Sequence, residues 1–312
     1  MNNEAIQSRV RALVDEIAAD NSSGAAEIVC RAAEAFSLLE ENQSEADIER
    51  ARKRVIEICA ALVRAQPVMS PLARLASAVV AASFESLTAD EVVRSAAVAA
   101  RSFVDNAKRA AARTVTIAGE MIPNGARVLT HSRSSTALAA FVEARRSGKE
   151  FSVVATESRP LLEGRALAET LARENVNVTV IADAAAAVVL DEVDFVFVGA
   201  DRVTTECVVN KIGTRMIALA ARERAVPVYS LCDTSKFIAH DFGSANEQRS
   251  GDELWPGAPK GIVVINRYFE PTPLEYFAGV VTEDGALPSD EIARRARLIE
   301  IHQALLDALS KT

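Results

Sequence analysis

Residues 128–267 hold six short apolar runs, each closed by small polar or charged residues and separated by stretches with helical spacing. Val128-Leu129 leads into Thr130-His131-Ser132, Phe151–Val154 into Thr156-Glu157-Ser158-Arg159, and Val178–Ile181 into Asp183. Phe195–Val198 leads into Gly199-Ala200-Asp201, Val226–Leu231 into Cys232-Asp233-Thr234, and Ile262–Ile265 into Asn266-Arg267. Short strands alternating with helices imply crossover connections and hence a parallel sheet. Helices cover such a sheet on both faces, which accounts for continuously apolar rather than alternating runs. Parallel connections also put every strand's carboxyl end on one edge, where open α/β sheets take ligands. Thr130, His131, Ser132, Arg159, Asp183, Asp201, Asp233 and Lys236 are therefore expected along that edge. Any one of them alone reads as a strand end meeting water; the edge as a whole reads as a site.

Before Ile122-Pro123-Asn124-Gly125 the pattern is helical throughout. Apolar residues recur at three and four spacing in Val10, Leu13, Val14 and Ile17, and again in Val55, Ile56, Cys59, Leu62 and Val63. Asp20–Gly24 and Pro67–Pro71 interrupt the period, and Thr88-Ala89-Asp90-Glu91 has the form of a capping box. No fixed-period repeat is present. The expected architecture is a helical N-terminal domain over 1–120 and a Rossmann-like α/β domain over 121–312, with the ligand cleft between them. Hydrophobic residues make up 49% of the 312, but aromatics only 5%, as suits alanine-rich helices packed closely and a Val/Ile-rich sheet.

A net charge of −8 argues against a general nucleic-acid surface while leaving room for a local basic pocket. Four separated cysteines, with no Cys-x-x-Cys pair, read as reduced thiols. The first residues lack an apolar signal core, and no run approaches the ~20 residues of a membrane helix. A cytoplasmic protein with no membrane contact is expected. No Gly-x-Gly-x-x-Gly, phosphate loop, Gly-x-Ser-x-Gly elbow or His/Cys cluster is present, so no cofactor and no metal are expected.

Gly199-Ala200-Asp201, followed by Asn210-Lys211-Ile212-Gly213-Thr214 opening a helix, suits a phosphorylated polyol. Asp201 can accept from sugar hydroxyls, while Lys211 and helix-terminal amides favour phosphate. A buried Asp bracing two loops is the competing reading of the same residues.

Thr156–Arg165 (TESRPLLEGR), Asp183-Ala184-Ala185, Gly199–Asp201, Asn210–Thr214 and Ala225–Tyr229 (AVPVY) occur in the order seen in the initiation factor 2B superfamily. Asn266–Pro273 (NRYFEPTP) and Val281–Leu287 resemble its closing segment, so the likeness covers roughly residues 120–290. That superfamily contains the α, β and δ subunits of initiation factor 2B, methylthioribose-1-phosphate isomerase and ribose-1,5-bisphosphate isomerase. The resemblance implies an acid/base pair made of the Asp of Gly-Ala-Asp, here Asp201, and a Cys after Thr-His, here Ser132. An unactivated hydroxyl ionises far too weakly to replace a thiol near pKa ~8.5. Cys207, Cys232 and His131 are the conceivable substitutes. The isomerases' Arg-Gly-Ala at a helix start corresponds to Ser22-Ser23-Gly24-Ala25, without the guanidinium.

The resemblance thus implies an α-subunit-like protein that binds a phosphorylated sugar or nucleotide monophosphate without isomerase activity. Asp201 and Ser132 stand at the reaction centre. Ser23, Gly24, Thr130, His131, Ser134, Arg159, Asn210, Lys211 and Lys236 form the ligand set. The alternatives are an aldose 1-phosphate isomerase and a translation-factor interaction module with a vestigial cleft. A homodimer or higher homo-oligomer, with translation-factor subunits as further partners, goes with this family.

Overall fold

The computed structural model describes residues 3–21, 23–40, 47–239 and 248–311. In chain order the helices and strands are α1 (Asn3–Ala19), α2 (Ala25–Glu40), α3 (Ile48–Ala65), α4 (Ser70–Glu85), α5 (Ala89–Glu120), β1 (Arg127–His131), α6 (Ser135–Arg146), β2 (Ser152–Thr156), α7 (Glu163–Arg173), β3 (Asn177–Ile181) and α8 (Ala186–Val189). They continue as β4 (Phe195–Val198), β5 (Arg202–Val203), β6 (Cys207–Lys211), α9 (Thr214–Glu223), β7 (Val228–Leu231), β8 (Phe269–Pro273), β9 (Gly279–Thr282), β10 (Gly285–Leu287), α10 (Ser289–Arg297) and α11 (Gln303–Leu309). The chain is α/β, as expected, with a helical N-terminal region and a mainly parallel sheet.

Two compact units divide it. One takes the helices up to Arg109, a short stretch from Phe237, and the chain from Leu298 on; the other takes Ala110–Lys236 and the remainder up to Arg297.

In the helical unit, Ile28, Phe36, Leu62, Leu72, Leu75 and Val79 are wholly buried together with Ala32, Ala35, Ala76, Ala96 and Ala97. Small alanines let helices approach closely, so few aromatics are needed to fill this core. The expected capping box opens α5: Thr88 Oγ1 accepts from the Glu91 amide at 3.2 Å, and Glu91 Oε2 accepts from the Thr88 amide at 3.2 Å. The terminal helix α11 joins this core through Leu305. His302 is its cap, with Nδ1 accepting from the Ala304 amide and its own amide donating to Ser77 Oγ.

In the second unit a seven-stranded sheet runs β10-β9-β7-β4-β1-β2-β3. All pairs are parallel except β10 with β9. Five of the six apolar runs lie on β1, β2, β3, β4 and β7. The sixth expectation is overturned. Among the described residues Ile262–Ile265 pairs with no strand; the parallel place beside β7 belongs to β9, in register Tyr229↔Gly279. Val263 is 86% and Ile265 64% exposed. β-propensity states only that a residue fits a pleated half-buried surface, and here a sheet neighbour is missing. Two-faced burial holds for β1, β2 and β4 but not for β3, the sheet's edge, where Asn177, Thr179 and Val180 are exposed.

A second, three-stranded sheet, β5-β6-β8, is antiparallel and was not expected. It puts Asn210 and Lys211 at the end of strand β6, so only Thr214 of that motif opens a helix.

The end of β2 lies against the first turn of α7. A Cβ added to Gly164 would sit 1.8 Å from the Thr156 carbonyl oxygen, a backbone atom that no rotamer change can move. Gly164→Ala is expected to cost about 3 kcal/mol, the upper range of overpacking penalties, read as a lower denaturant midpoint.

Candidate functional site at the sheet switch point

The chain lays β2 and β3 on one side of β1 and then crosses back to place β4 on the other. The carboxyl ends of β1 and β4 therefore flank the point where strand order reverses, where open α/β sheets bind ligands. Residues 131–134 leave β1 there, and Gly199-Ala200-Asp201 leaves β4.

After β1 the backbone turns sharply. Ser132 has φ 66° and Ser158, after β2, has φ 63°, both in the left-handed region that non-glycine residues rarely adopt. The two turns are tied together, because the Ser132 amide donates to Ser158 Oγ at 2.8 Å. Asp183, beyond β3, holds the second turn by accepting from the Ser158 and Arg159 amides at 2.7 and 2.8 Å. Its carboxylate is thus occupied with protein. Ser134 caps α6, accepting from the Ala137 amide at 3.2 Å.

Gly199 allows the two sides of the switch point to meet. A Cβ there would lie 2.8 Å from Ser134 Cβ, 2.9 Å from Ser134 Oγ and 3.6 Å from Asn210 Oδ1. Ser134 and Asn210 therefore converge over a glycine that has no room for a side chain. Asn210 donates to Thr214 Oγ1 at 3.0 Å, and the Asp201 amide donates to the Val209 carbonyl at 2.9 Å.

Asp201 is half-buried as a residue, while its carboxyl is desolvated. Burial pushes it above the ordinary carboxylate range, with Lys236, Lys211 and Arg202 opposing and Glu163 adding to the rise. The unfolded group ionises first, while the folded one keeps its proton to higher pH. Its stabilising contribution is full below the ordinary Asp value near ~3.9 and is lost as pH rises through the raised value. Asp201→Asn is accordingly expected to melt above the parent at pH ~7 and level with it near pH ~3, by calorimetry at matched salt.

Lys211 is 3% exposed and paired with Glu163 at 2.6 Å, its ammonium 5.0 Å from the centre of the Tyr268 ring. Lys236 donates to the Ala200 carbonyl, beside Asp201. The α9 amino terminus, expected to receive an anion, already has one: Glu270 accepts from the Gly213 and Arg215 amides at 2.7 and 2.9 Å. Arg159 is exposed and donates to the Leu254 carbonyl. Thr130 is fully buried, on the face of β1 shared with Val128. Ser23 and Gly24 belong to the helical unit, where the Gly24 carbonyl accepts the first amides of α2.

None of the substitutes for a thiol at residue 132 is well placed. Cys232 is wholly buried and burial drives its thiol far above the ordinary range. Cys207 lies on the face of β6 opposite Asn210, with Sγ 3.3 Å from Thr204 Oγ1. His131 is buried, its pKa is lowered by burial, and both ring nitrogens contact protein.

Glu163, Ser158, Tyr268 and Glu270 contact the candidate residues, and strand-end reasoning singled out none of them. Glu163 and Ser158 lie within TESRPLLEGR, and Tyr268 and Glu270 within NRYFEPTP, so motif density was the available signal.

The sequence pattern of the Initiation factor 2 subunit family matches residues 21–289. The chain belongs to this family. A ribose 1,5-bisphosphate isomerase of Archaeoglobus fulgidus is 34% identical over 273 residues, covering 86% of each chain. A putative translation initiation factor eIF-2B subunit 2-like protein of Pyrococcus furiosus is 33% identical over 288 residues, covering 91% of this chain and 99% of that one. The crystal structure of a Pyrococcus horikoshii translation initiation factor eIF-2B has a TM-score of 0.78 at 29% identity, covering 89% of this chain and 96% of that chain. Relatives in the Initiation factor 2 subunit family thus carry both isomerase and initiation-factor names. Family membership alone does not choose between the two.

Proposed function

We propose that the switch-point edge binds a sugar phosphate and that the chain interconverts an aldose 1-phosphate and its ketose. The carrying observation is Asp201: a carboxyl at the switch point, raised by burial, with Lys211 and Lys236 in electrostatic reach. The similarity to a ribose 1,5-bisphosphate isomerase over most of both chains supports the same reading. After ring opening, moving the proton from C2 to C1 needs a base whose pKa lies near working pH, and a raised carboxyl meets that need better than an ordinary one. In this reading O4 takes up a proton as the C1–O4 bond breaks, and one carboxylate takes the proton from C2 as the C1=C2 double bond forms. The carboxylate returns that proton to C1 while the 2-hydroxyl gives up its own and C2 becomes the ketone, so that in net one proton passes from C2 to C1 and one from O2 to O4. Ser132 and Ser134 supply neutral hydrogen bonds to the substrate oxygens. Lys236 offsets the charge of the phosphate, Lys211 being paired with Glu163.

A second reading is favoured by Ser132. Its hydroxyl has no thiol chemistry, and the neighbouring His131 turns both nitrogens to other partners. Here the site binds a sugar phosphate or nucleotide monophosphate without turnover, as an α-subunit-like sensor with translation-factor subunits as partners. A homodimer accompanies either reading.

The deciding experiment follows ketose formation by NMR with ribose 1,5-bisphosphate, methylthioribose 1-phosphate and other aldose 1-phosphates. Ketose formation supports the isomerase. A raised melting temperature with no ketose supports the sensor. Neither signal would move attention to protein contacts.

A further inference from the structure

His131 ends β1 at the switch point, yet it is 1% exposed. Donor and acceptor capacities fix which way its hydrogen bonds run. Nε2 lies 2.7 Å from the Ile212 carbonyl, which can only accept, so Nε2 carries the proton. In a neutral ring Nδ1 then accepts, and the Thr156 hydroxyl 2.6 Å away must donate to it. Thr156 Oγ1 has thereby used its proton and can only accept from the Ser158 hydroxyl, 3.1 Å away, which shares its proton with the Thr156 carbonyl at 3.3 Å. Ser158 Oγ in turn accepts the Ser132 amide at 2.8 Å. Every hydrogen points the same way, from Ser132 through Ser158, Thr156 and His131 to Ile212.

Burial lowers the imidazole pKa and so maintains the neutral form this order requires. The ring fills the space beside Gly213, where an added Cβ would lie 2.9 Å from Nε2. The two ends of the chain are the two sides of the site. Ser132 occupies the reaction centre in a left-handed backbone, and Ile212 follows Lys211 directly in the turn before α9.

We propose that His131 is a positioning residue, not a ligand contact, which ties the backbone of Ser132 to the Ile212–Gly213 turn through this one-way hydrogen-bond chain. The proton-transfer side and the anion-binding side are then set together. A loop displacement of an ångström at either side, of the kind that costs proximity catalysis dearly, is resisted by the other. Its bearing on catalysis rests on the sugar-phosphate reading; the chain itself is tested without ligand.

Nitrogen-15 NMR of the imidazoles in the full chain should show His131 as a single Nε2–H tautomer at neutral pH. An Nδ1–H tautomer or an imidazolium would overturn the proposal. In Ser158→Ala the amide signals of Ile212 and Gly213, at the far end of the chain, are expected to shift; unmoved signals would overturn the coupling. With substrate, Thr156→Val should lower kcat/KM about tenfold or more while Thr156→Ser restores it, because only the hydroxyl matters. The double variant Thr156→Val/Ser158→Ala should be no worse than the weaker single variant, since both cut one chain. Additive losses, or a Thr156→Ser as poor as Thr156→Val, would count against it. If the parent neither turns over nor binds ribose 1,5-bisphosphate, the sugar-phosphate reading fails, and the two NMR measurements still decide the role of His131.

Discussion

Asp201→Asn is expected to lower kcat/KM for aldose 1-phosphate isomerisation by about 10²–10⁴-fold, the range for losing a positioned acid/base group. Asn keeps the shape and the hydrogen bonds of the amide side while removing the group that carries the proton. The loss should fall on kcat rather than KM, because proton transfer is felt in the transition state and not in ground-state binding. The same variant is expected to melt higher than the parent near neutral pH, since the raised carboxyl is a cost to the folded state once it ionises. A fall in activity with a gain in stability would mark Asp201 as a functional carboxyl held at structural expense. Turnover unchanged in Asp201→Asn would remove the isomerase assignment of this site.

Ser132→Cys is expected to raise turnover by about 10²-fold. A thiol near pKa ~8.5 is a few per cent ionised at neutral pH, whereas a serine hydroxyl is ionised negligibly. The backbone is already set for either side chain: φ is 66°, and the amide is held by Ser158 Oγ whatever residue 132 carries. A gain would mean that proton transfer had been limited by residue 132. If the parent only binds, Ser132→Cys is the variant in which ketose should first be seen. No change in rate, with parent turnover intact, would assign the whole proton shuttle to Asp201.

Much of this site was legible before any coordinates. β4 coincides with the run Phe195–Val198, and the polar residues after β1 and β4 do flank the switch point. Those features follow from local pattern, because an apolar run and its polar end are encoded within a few residues. Ile262–Ile265 has the same local pattern and pairs with no strand among the described residues, because pairing depends on which segment reaches the sheet beside β7, and β9 does. Likewise Asn210-Lys211-Ile212-Gly213-Thr214 contains glycine and threonine in positions that suit a helix start. Nothing nearby reveals that Glu270, from β8, occupies its amides.

The sequence by itself determined the α/β class, the alanine-rich helical region and the order of the family motifs. It also determined that a serine stands where the resemblance implies a cysteine. These are properties of composition, period and residue identity, which the chain carries locally. Only the tertiary structure decided that Lys211 is already paired with Glu163, that Asp183 accepts from two amides, and that both ring nitrogens of His131 meet protein partners. It also decided that α11 joins the helical unit. Each of those facts rests on contacts between residues distant in sequence, where burial and the scarcity of donors and acceptors determine which partner a polar group takes.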